Sequence, residues 1–248
     1  MRVIVTRPTA QAAAWVEALQ RDGLQAQALP LIGIEPPRDL AAVRAVWARL
    51  PEFALVVFVS ANAVQHFFAA RPAGALWPQG LAAASTGPGT SAALRSAGIA
   101  HIEEPAAESA EFDSEALWAR LASRAWAGLH VLVVRGDGGR DWLAQVLRKH
   151  GAEVDFVAAY RRVPPTLDEP ARRLLAAAKA EPAQHLWLFS SSEAVSHLLR
   201  VAPLFDWSAS QAWASHARIA QAARAAGFGR VERVAPDPQA VVRRLRGG

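Results

Sequence analysis

Residues 84–98 read ASTGPGTSAALRSAG, and Gly87, Gly89 and Ala92 fit the spacing G-x-G-x-x-A. Glycines so placed after a strand let a pyrophosphate approach the N-terminus of a helix, so one reading of the loop is a dinucleotide site. Glu103 would then be the ribose-binding acid, although it comes earlier than the usual spacing of about 20 residues. Other short stretches carry related chemistry: Arg7-Pro8-Thr9, Ser60-Ala61-Asn62, Arg135 to Arg140, Ser190-Ser191-Ser192 and Ser215 to Arg218. Hydroxyls, glycines and arginines at helix starts make a surface for anions, because backbone N–H groups and guanidinium forks point the same way. Each residue type also has an ordinary duty. Ser60, Thr90 and Ser191 suit helix N-caps, and Arg7 and Arg135 suit salt bridges. Their common placement is what argues for a site.

Other chemistries have less behind them. The seven histidines form no H-x-x-x-H or H-E-x-x-H pattern, so no metal site is expected. His66 and His197 read as packing residues on helices. SSSEA is not a G-x-S-x-G elbow. With no cysteine there is no disulfide, thiolate ligand or cysteine nucleophile, which fits a reducing compartment.

The elements that must hold these loops are legible in the apolar pattern. The 248 residues are 52% hydrophobic, enough for one large α/β domain or two small ones. Short apolar runs read as strands at Val3–Thr6, Leu55–Val59, Leu81–Ser85, His130–Val134 and Leu186–Phe189. Helical spacing follows them, as at Trp15 and Leu19 before the stop at Gly23. Near-continuous apolar strands alternating with helices predict parallel sheets covered on both faces, each of about four or five strands. Ligands of such sheets bind beyond the carboxyl ends of the strands, which is where the loops above fall.

The chain also repeats itself. VIVTRPTAQAAAWVEALQRDG (3–23) resembles VLVVRGDGGRDWLAQVLRKHG (131–151), with Arg7 on Arg135 at an offset of 128. FVSANAVQHF (58–67) resembles FSSSEAVSHL (189–198), with Ser60 on Ser191 at an offset of 131. ALRSAGI (93–99) resembles AARAAGF (222–228). The order is a, b, a′, b′. The counterpart of the Gly87 loop, SHARIAQA (215–222), has no glycine, which weakens the dinucleotide reading. Two longer segments, Gln25–Pro37 and Glu153–Pro165, both end in Pro-Pro and read as extended exits from a sheet.

The net charge of +5 is nearly all arginine, since lysine occurs only at Lys149 and Lys179. No basic stripe interleaved with aromatics appears, so nucleic-acid binding is not expected. No apolar run is long enough to span a membrane, and the opening MRVIVTRPTAQ does not read as a signal peptide. A cytoplasmic protein is the expectation.

Taken in order, VIVTRP, PLIGIEP, FVSANAV, STGPGTSAAL, EFDSEAL (111–117), VLVVRGDGGRDWL, YRRVPP and LFSSSEAV resemble the uroporphyrinogen-III synthase family along nearly the whole chain. The resemblance implies two flavodoxin-like parallel α/β domains joined by a two-stranded extended connector. One domain would comprise 1–35 with 166–248 and the other 36–165, with connector segments near 30–37 and 158–165. It implies domains that open and close on the ligand, and a lyase that needs no cofactor. The reaction turns hydroxymethylbilane into uroporphyrinogen III with loss of water and inversion of ring D through a spiro intermediate. The substrate carries eight carboxylates, which would give the rim its purpose. Ser60, Asn62, Gly87, Thr90, Ser190 and Ser191, with Arg7, Arg135 and Arg140, are carried over as substrate-binding candidates. Tyr160, the only tyrosine, matches the family's connector tyrosine and would assist hydroxyl departure. The Gly-Pro-Thr-Thr-like turn common in the family is here His216-Ala217-Arg218-Ile219, so either Ser215 or Arg218 would replace the anchoring hydroxyl or the loop would contribute little. A monomer is implied, with a transient contact to the preceding bilane synthase. Two rivals remain: a two-domain binding protein for a polyanionic small molecule, and a nucleotide-dependent enzyme using the Gly87 loop.

Overall fold

The computed structural model describes residues 1–106 and 113–247. Glu111 and Phe112, which open the EFDSEAL motif, lie outside them. The strands run in chain order as β1 (Arg2–Val5), β2 (Gln25–Ala28), β3 (Gly33–Glu35), β4 (Leu55–Phe58), β5 (Ala82–Ser85) and β6 (Ile102–Glu103). They continue with β7 (His130–Gly136), β8 (Glu153–Val163), β9 (His185–Phe189), β10 (Gln211–Ala214) and β11 (Arg230–Arg233). The helices between them are α1 (Thr9–Arg21), α2 (Leu40–Arg49), α3 (Ala61–Ala69), α4 (Pro88–Ser96) and α5 (Ser114–Leu121). They are followed by α6 (Trp142–Lys149), α7 (Glu169–Ala180), α8 (Ser192–Val201), α9 (Ala217–Ala225) and α10 (Pro238–Arg246).

The chain divides into two compact units, Met1–Gly33 with Val163–Gly248, and Ile34–Arg162. The first holds a sheet in the order β11-β10-β9-β1-β2, with every neighbouring pair parallel. The second sheet runs β3-β8-β7-β4-β5-β6 and is parallel from β8 to β6. Relabelled within each unit, both follow the flavodoxin-like order 2-1-3-4-5. In the first, β1 and β2 open the order and β9 to β11 complete it. In the second, β7 and β8 open it and β4 to β6 complete it, with β3 added at the edge. The repeat a, b, a′, b′ thus pairs a with b′ and b with a′.

The helices carry the stops and caps their sequences announce. Asp39, Asp113, Asp168 and Asp237 each accept a backbone N–H at the start of a helix. Gly23 closes α1 at φ +77°, a left-handed conformation that glycine adopts without steric cost.

The central strands are buried on both faces, and their side chains alternate between two cores. From β4, Val56 and Phe58 enter one cluster with Trp47, Phe67 and Leu94, while Leu55 and Val57 enter the other with Leu117, Leu121 and Leu147. Trp47 lies 4.8 Å from Phe67 in a stacked pair and 5.4 Å from Phe68, and its indole N–H donates to Phe67 O at 3.3 Å. In the first unit, Val3, Val5, Leu186 and Leu188 pack under Leu19, Val241 and Val242. Trp187 stacks on Phe189 and Trp207 on Phe228, and the two pairs meet edge to face.

Glu153–Val163 is one strand, paired with β7 as far as Tyr160 and extended for three residues beyond that pairing. Gln25–Glu35 is broken into β2 and β3 around Pro30, which has no N–H to donate. Leu29 and Leu31 are buried there and donate their N–H groups to Val5 O and Thr6 O. His197 contacts Leu31 O at 2.6 Å through Nδ1, a packing role for a buried histidine.

Candidate functional site

In each unit the strand order reverses at one point, between β1 and β9 in the first and between β7 and β4 in the second. In open parallel sheets the loops diverge at such a point, and ligands bind in the crevice beyond the strand ends.

In the second unit, β4 ends into Ser60, which caps α3 by accepting the amide of Ala63 at 3.2 Å. Ser60 Oγ also lies 3.1 Å from Tyr160 Oη. Tyr160 comes from β8 and is 1% exposed, so its ring belongs to the core beneath the rim. A register shift between Arg135 and Gly136 sets Gly136 opposite Tyr160. A Cβ on Gly136 would stand 3.0 Å from Tyr160 Cζ and 3.3 Å from its oxygen, so the ring would have to give by a few tenths of an ångström. Arg162 Nη2 donates to Tyr160 Oη at 3.5 Å, and the Arg162 amide donates to Asp137 Oδ1 at 3.2 Å. Asn62 is buried in the first turn of α3.

His66, one turn further along α3, stacks on Tyr160 with centroids 6.0 Å apart. Burial pushes its pKa below the ordinary 6.5, so it is neutral at neutral pH. As pH falls through 6.5 the unfolded chain takes up this proton before the folded one. Stability is therefore lost from 6.5 downward. His66→Phe is expected to lose less melting temperature than the natural chain between pH 7 and pH 5. An equal loss in both would remove His66 from the acid response.

The Gly87 loop is pinned from behind. Ser85 and Ser91, both fully buried, share a hydrogen bond of 2.5 Å, and Thr86 Oγ1 donates to Val59 O at 3.2 Å. Gly87 is the N-cap of α4, and Thr90 lies two residues into the helix, buried. The expected capping duty of Thr90 is therefore held by Gly87. Gly87 has φ 173°, extended backbone open to any residue, and a Cβ on Gly89 would meet nothing within 4 Å. Neither value demands glycine, whose effect is to leave the helix-start N–H groups uncovered. Glu103 lies within salt-bridge range of Arg120 at 3.7 Å and His101 at 3.6 Å. Among the described residues no group of three His, Asp or Glu could hold a metal.

The three candidate arginines differ. Arg135 is paired with Asp141 and lies 4.1 Å over the Phe156 ring. Arg140 holds both oxygens of Glu115, at 2.9 and 3.1 Å. Arg7 has no carboxylate partner among the described residues. It contacts Gln11 Oε1 at 3.4 Å and lies 4.3 Å over the Trp15 ring. Burial lowers its pKa to about 10, so it stays charged at neutral pH in a poorly hydrated place. With Trp15, Ser190, Trp213, Ser215 and Pro236 it lines a small pocket at the switch point of the first unit, with room for about one water molecule. Ser191 caps α8, accepting from Glu193 N at 3.1 Å. Of the two replacements considered for the missing turn hydroxyl, Ser215 lines this pocket, and Arg218 is exposed on α9.

The sequence does not single out Arg162 or Trp15, and it gives Gly136 only within the stretch Arg135 to Arg140. Arg162 stood in the motif YRRVPP, and Gly136 beside Arg135. Trp15 sits eight residues after Arg7, two helical turns on, a spacing that was available as a signal.

Two flavodoxin-like α/β units, each with hydroxyl-bearing loops and helix starts beyond its strand ends, define a two-unit α/β protein. The chain belongs to the uroporphyrinogen-III synthase family: the family described as uroporphyrinogen-III synthase HemD matches residues 13–243. It is 32% identical over 163 residues to the uroporphyrinogen-III synthase of Salmonella typhimurium, and 30% identical over 163 residues to that of Escherichia coli K12. Each match spans 65% of this chain and 65% of the relative. Among solved structures, the Helicobacter pylori uroporphyrinogen-III synthetase gives a TM-score of 0.62 at 15% identity, covering 100% of this chain and 99% of that one. A mutant uroporphyrinogen III synthase from Thermus thermophilus gives 0.59 at 17% identity, covering 100% of both chains. These two likenesses establish the fold, and the family and fold class expected from the sequence stand. No helix among the described residues is long and apolar enough to cross a membrane.

Proposed function

We propose that this chain is a uroporphyrinogen-III synthase: it cyclises hydroxymethylbilane to uroporphyrinogen III, with loss of water and inversion of ring D, without a cofactor. The observation that carries the reading is the pair of switch-point rims in a chain of this family. Each offers hydroxyls and helix-start N–H groups, with arginine nearby, to carboxylates. The reaction asks mainly for geometry. Hydroxide leaves ring A as an azafulvene forms, the substituted carbon of ring D attacks, and the spiro intermediate fragments and recloses inverted. A rim that fixes the carboxylates makes that carbon the nearest nucleophile.

Ser60, Asn62, Gly87, Thr90, Ser190, Ser191, Arg7, Arg135 and Arg140 are proposed to hold the bilane, with Tyr160 assisting hydroxyl departure. The reading includes a monomeric cytoplasmic protein. The free bilane closes spontaneously to isomer I, which favours a transient contact with the synthase that makes it.

The test is the isomer ratio. Hydroxymethylbilane is generated in situ, the protein is added, and the oxidised products are separated by chromatography. Uroporphyrin III should dominate. Isomer I alone, with a folded protein present, would overturn the reading.

A further inference from the structure

A hydroxyl has one proton and two lone pairs, and at Ser60 the lone pairs are both claimed. The Ala63 amide donates to Ser60 Oγ at 3.2 Å as the helix cap. The second partner is Tyr160 Oη at 3.1 Å, where geometry alone leaves the donor open. The surroundings of Tyr160 settle it. The side chain is 1% exposed, so its O–H needs an acceptor within the protein. Among the described residues its oxygen has two partners, Ser60 Oγ and Arg162 Nη2. A guanidinium only donates, so the phenol proton goes to Ser60. The proton of Ser60 itself is then free to point at a third group. Ser60 is half-buried at the end of β4, beside the N-terminus of α3.

We infer that Arg162, Tyr160 and Ser60 form a directional hydrogen-bond chain, and that Ser60, rather than the buried Tyr160, delivers the proton to the departing hydroxyl. The inference rests on the synthase reading above. Each donor in the chain polarises the next, which makes the last O–H a better acid than an isolated serine. As the C–O bond of the bilane breaks, its electron pair goes to oxygen. The Ser60 Oγ–H proton joins that oxygen, and water leaves. The Tyr160 proton refills Ser60, and the phenolate is held beside the Arg162 cation. When the closed macrocycle loses a proton to restore the last pyrrole, that proton replaces the one spent, and the net loss is water. Tyr160 is thereby a positioning and relay residue. Gly136 faces this phenol, and a Cβ there would press on its ring.

The test is a double-mutant cycle read as kcat and KM for formation of isomer III. Ser60→Gly removes the hydroxyl at little capping cost, and its kcat should fall about 100-fold. Tyr160→Phe should lower kcat about tenfold at unchanged KM, the loss of one hydrogen bond. Combining them should cost no more than Ser60→Gly alone, since Tyr160 acts only through Ser60. Ser60→Thr, which keeps hydroxyl and cap, should retain most activity. Losses that multiply in the double variant, or a folded Ser60→Thr protein as inactive as Ser60→Gly, would overturn the chain while leaving the synthase reading intact. Isomer I alone from the natural sequence would overturn both.

Discussion

Arg7→Leu is expected to raise KM for hydroxymethylbilane roughly 10- to 100-fold while leaving kcat within about twofold, the loss of one charged hydrogen-bonded contact. The reason is the contrast among the rim arginines. Arg135 and Arg140 already have Asp141 and Glu115, so a substrate carboxylate must compete with a bound partner. Arg7 is a half-buried guanidinium that rests on Trp15 and has no anion among the described residues. Its lowered pKa of about 10 records the cost of holding that charge away from water, a cost an incoming carboxylate offsets. Ser190 and Ser215 line the same small pocket as Arg7, between Trp15 and Trp213. Arg7→Leu should also fold at least as stably as the natural chain, because it removes a desolvated charge without orphaning a carboxylate. Arg140→Leu is the control and should change KM only a few-fold. If KM were unchanged in Arg7→Leu, Arg7 would be a packing residue for Trp15 and the pocket would lose its role.

Trp47→Ala should destabilise the protein by about 3–5 kcal/mol, the range for removing a buried aromatic from a well-packed core. Trp47 is 3% exposed on α2 and joins two helices through Phe67 and Phe68, with Trp77 6.5 Å away. Alanine leaves a cavity under α3 and removes the hydrogen bond from the indole to Phe67 O. Because Ser60, Asn62 and His66 all stand on that helix or at its cap, activity should fall with stability, and earlier in urea than the far-ultraviolet signal. Urea unfolding measures the change directly. A loss below about 1 kcal/mol would mean that the aromatic cluster repacks around the gap.

Much of the architecture was legible because it rests on periodicities. Runs such as Leu55–Phe58 and Leu186–Phe189 are apolar at every position, and only a strand covered on both faces makes sense of that. The repeat showed which loops are equivalent, and the parallel-sheet rule placed them beyond the strand ends. Ser60 and Ser191 cap the helices that follow them, as their positions suggested. Thr90 does not, because the helix has already started at Pro88, directly after Gly87. The first sheet has the expected five strands, and the second has six where four or five were expected. Short edge strands such as Ile102–Glu103 and Gly33–Glu35 carry too few apolar residues to announce themselves.

The candidate site divides along the same line. Sequence alone determined the inventory: a cysteine-free, arginine-rich chain, one tyrosine, and hydroxyls and glycines at the ends of paired strands. Local rules suffice for that, since caps, turns and alternation act over a few residues. Partnerships needed the tertiary structure. Ser60 meets Tyr160 across 100 positions, Arg140 meets Glu115 across 25, and Gly136 faces Tyr160 through a register shift between neighbouring strands. Which arginine is neutralised and which remains without a carboxylate, and which hydroxyl has its lone pairs filled, are set by long-range packing. No spacing along a chain encodes a contact that only the closing of a sheet creates.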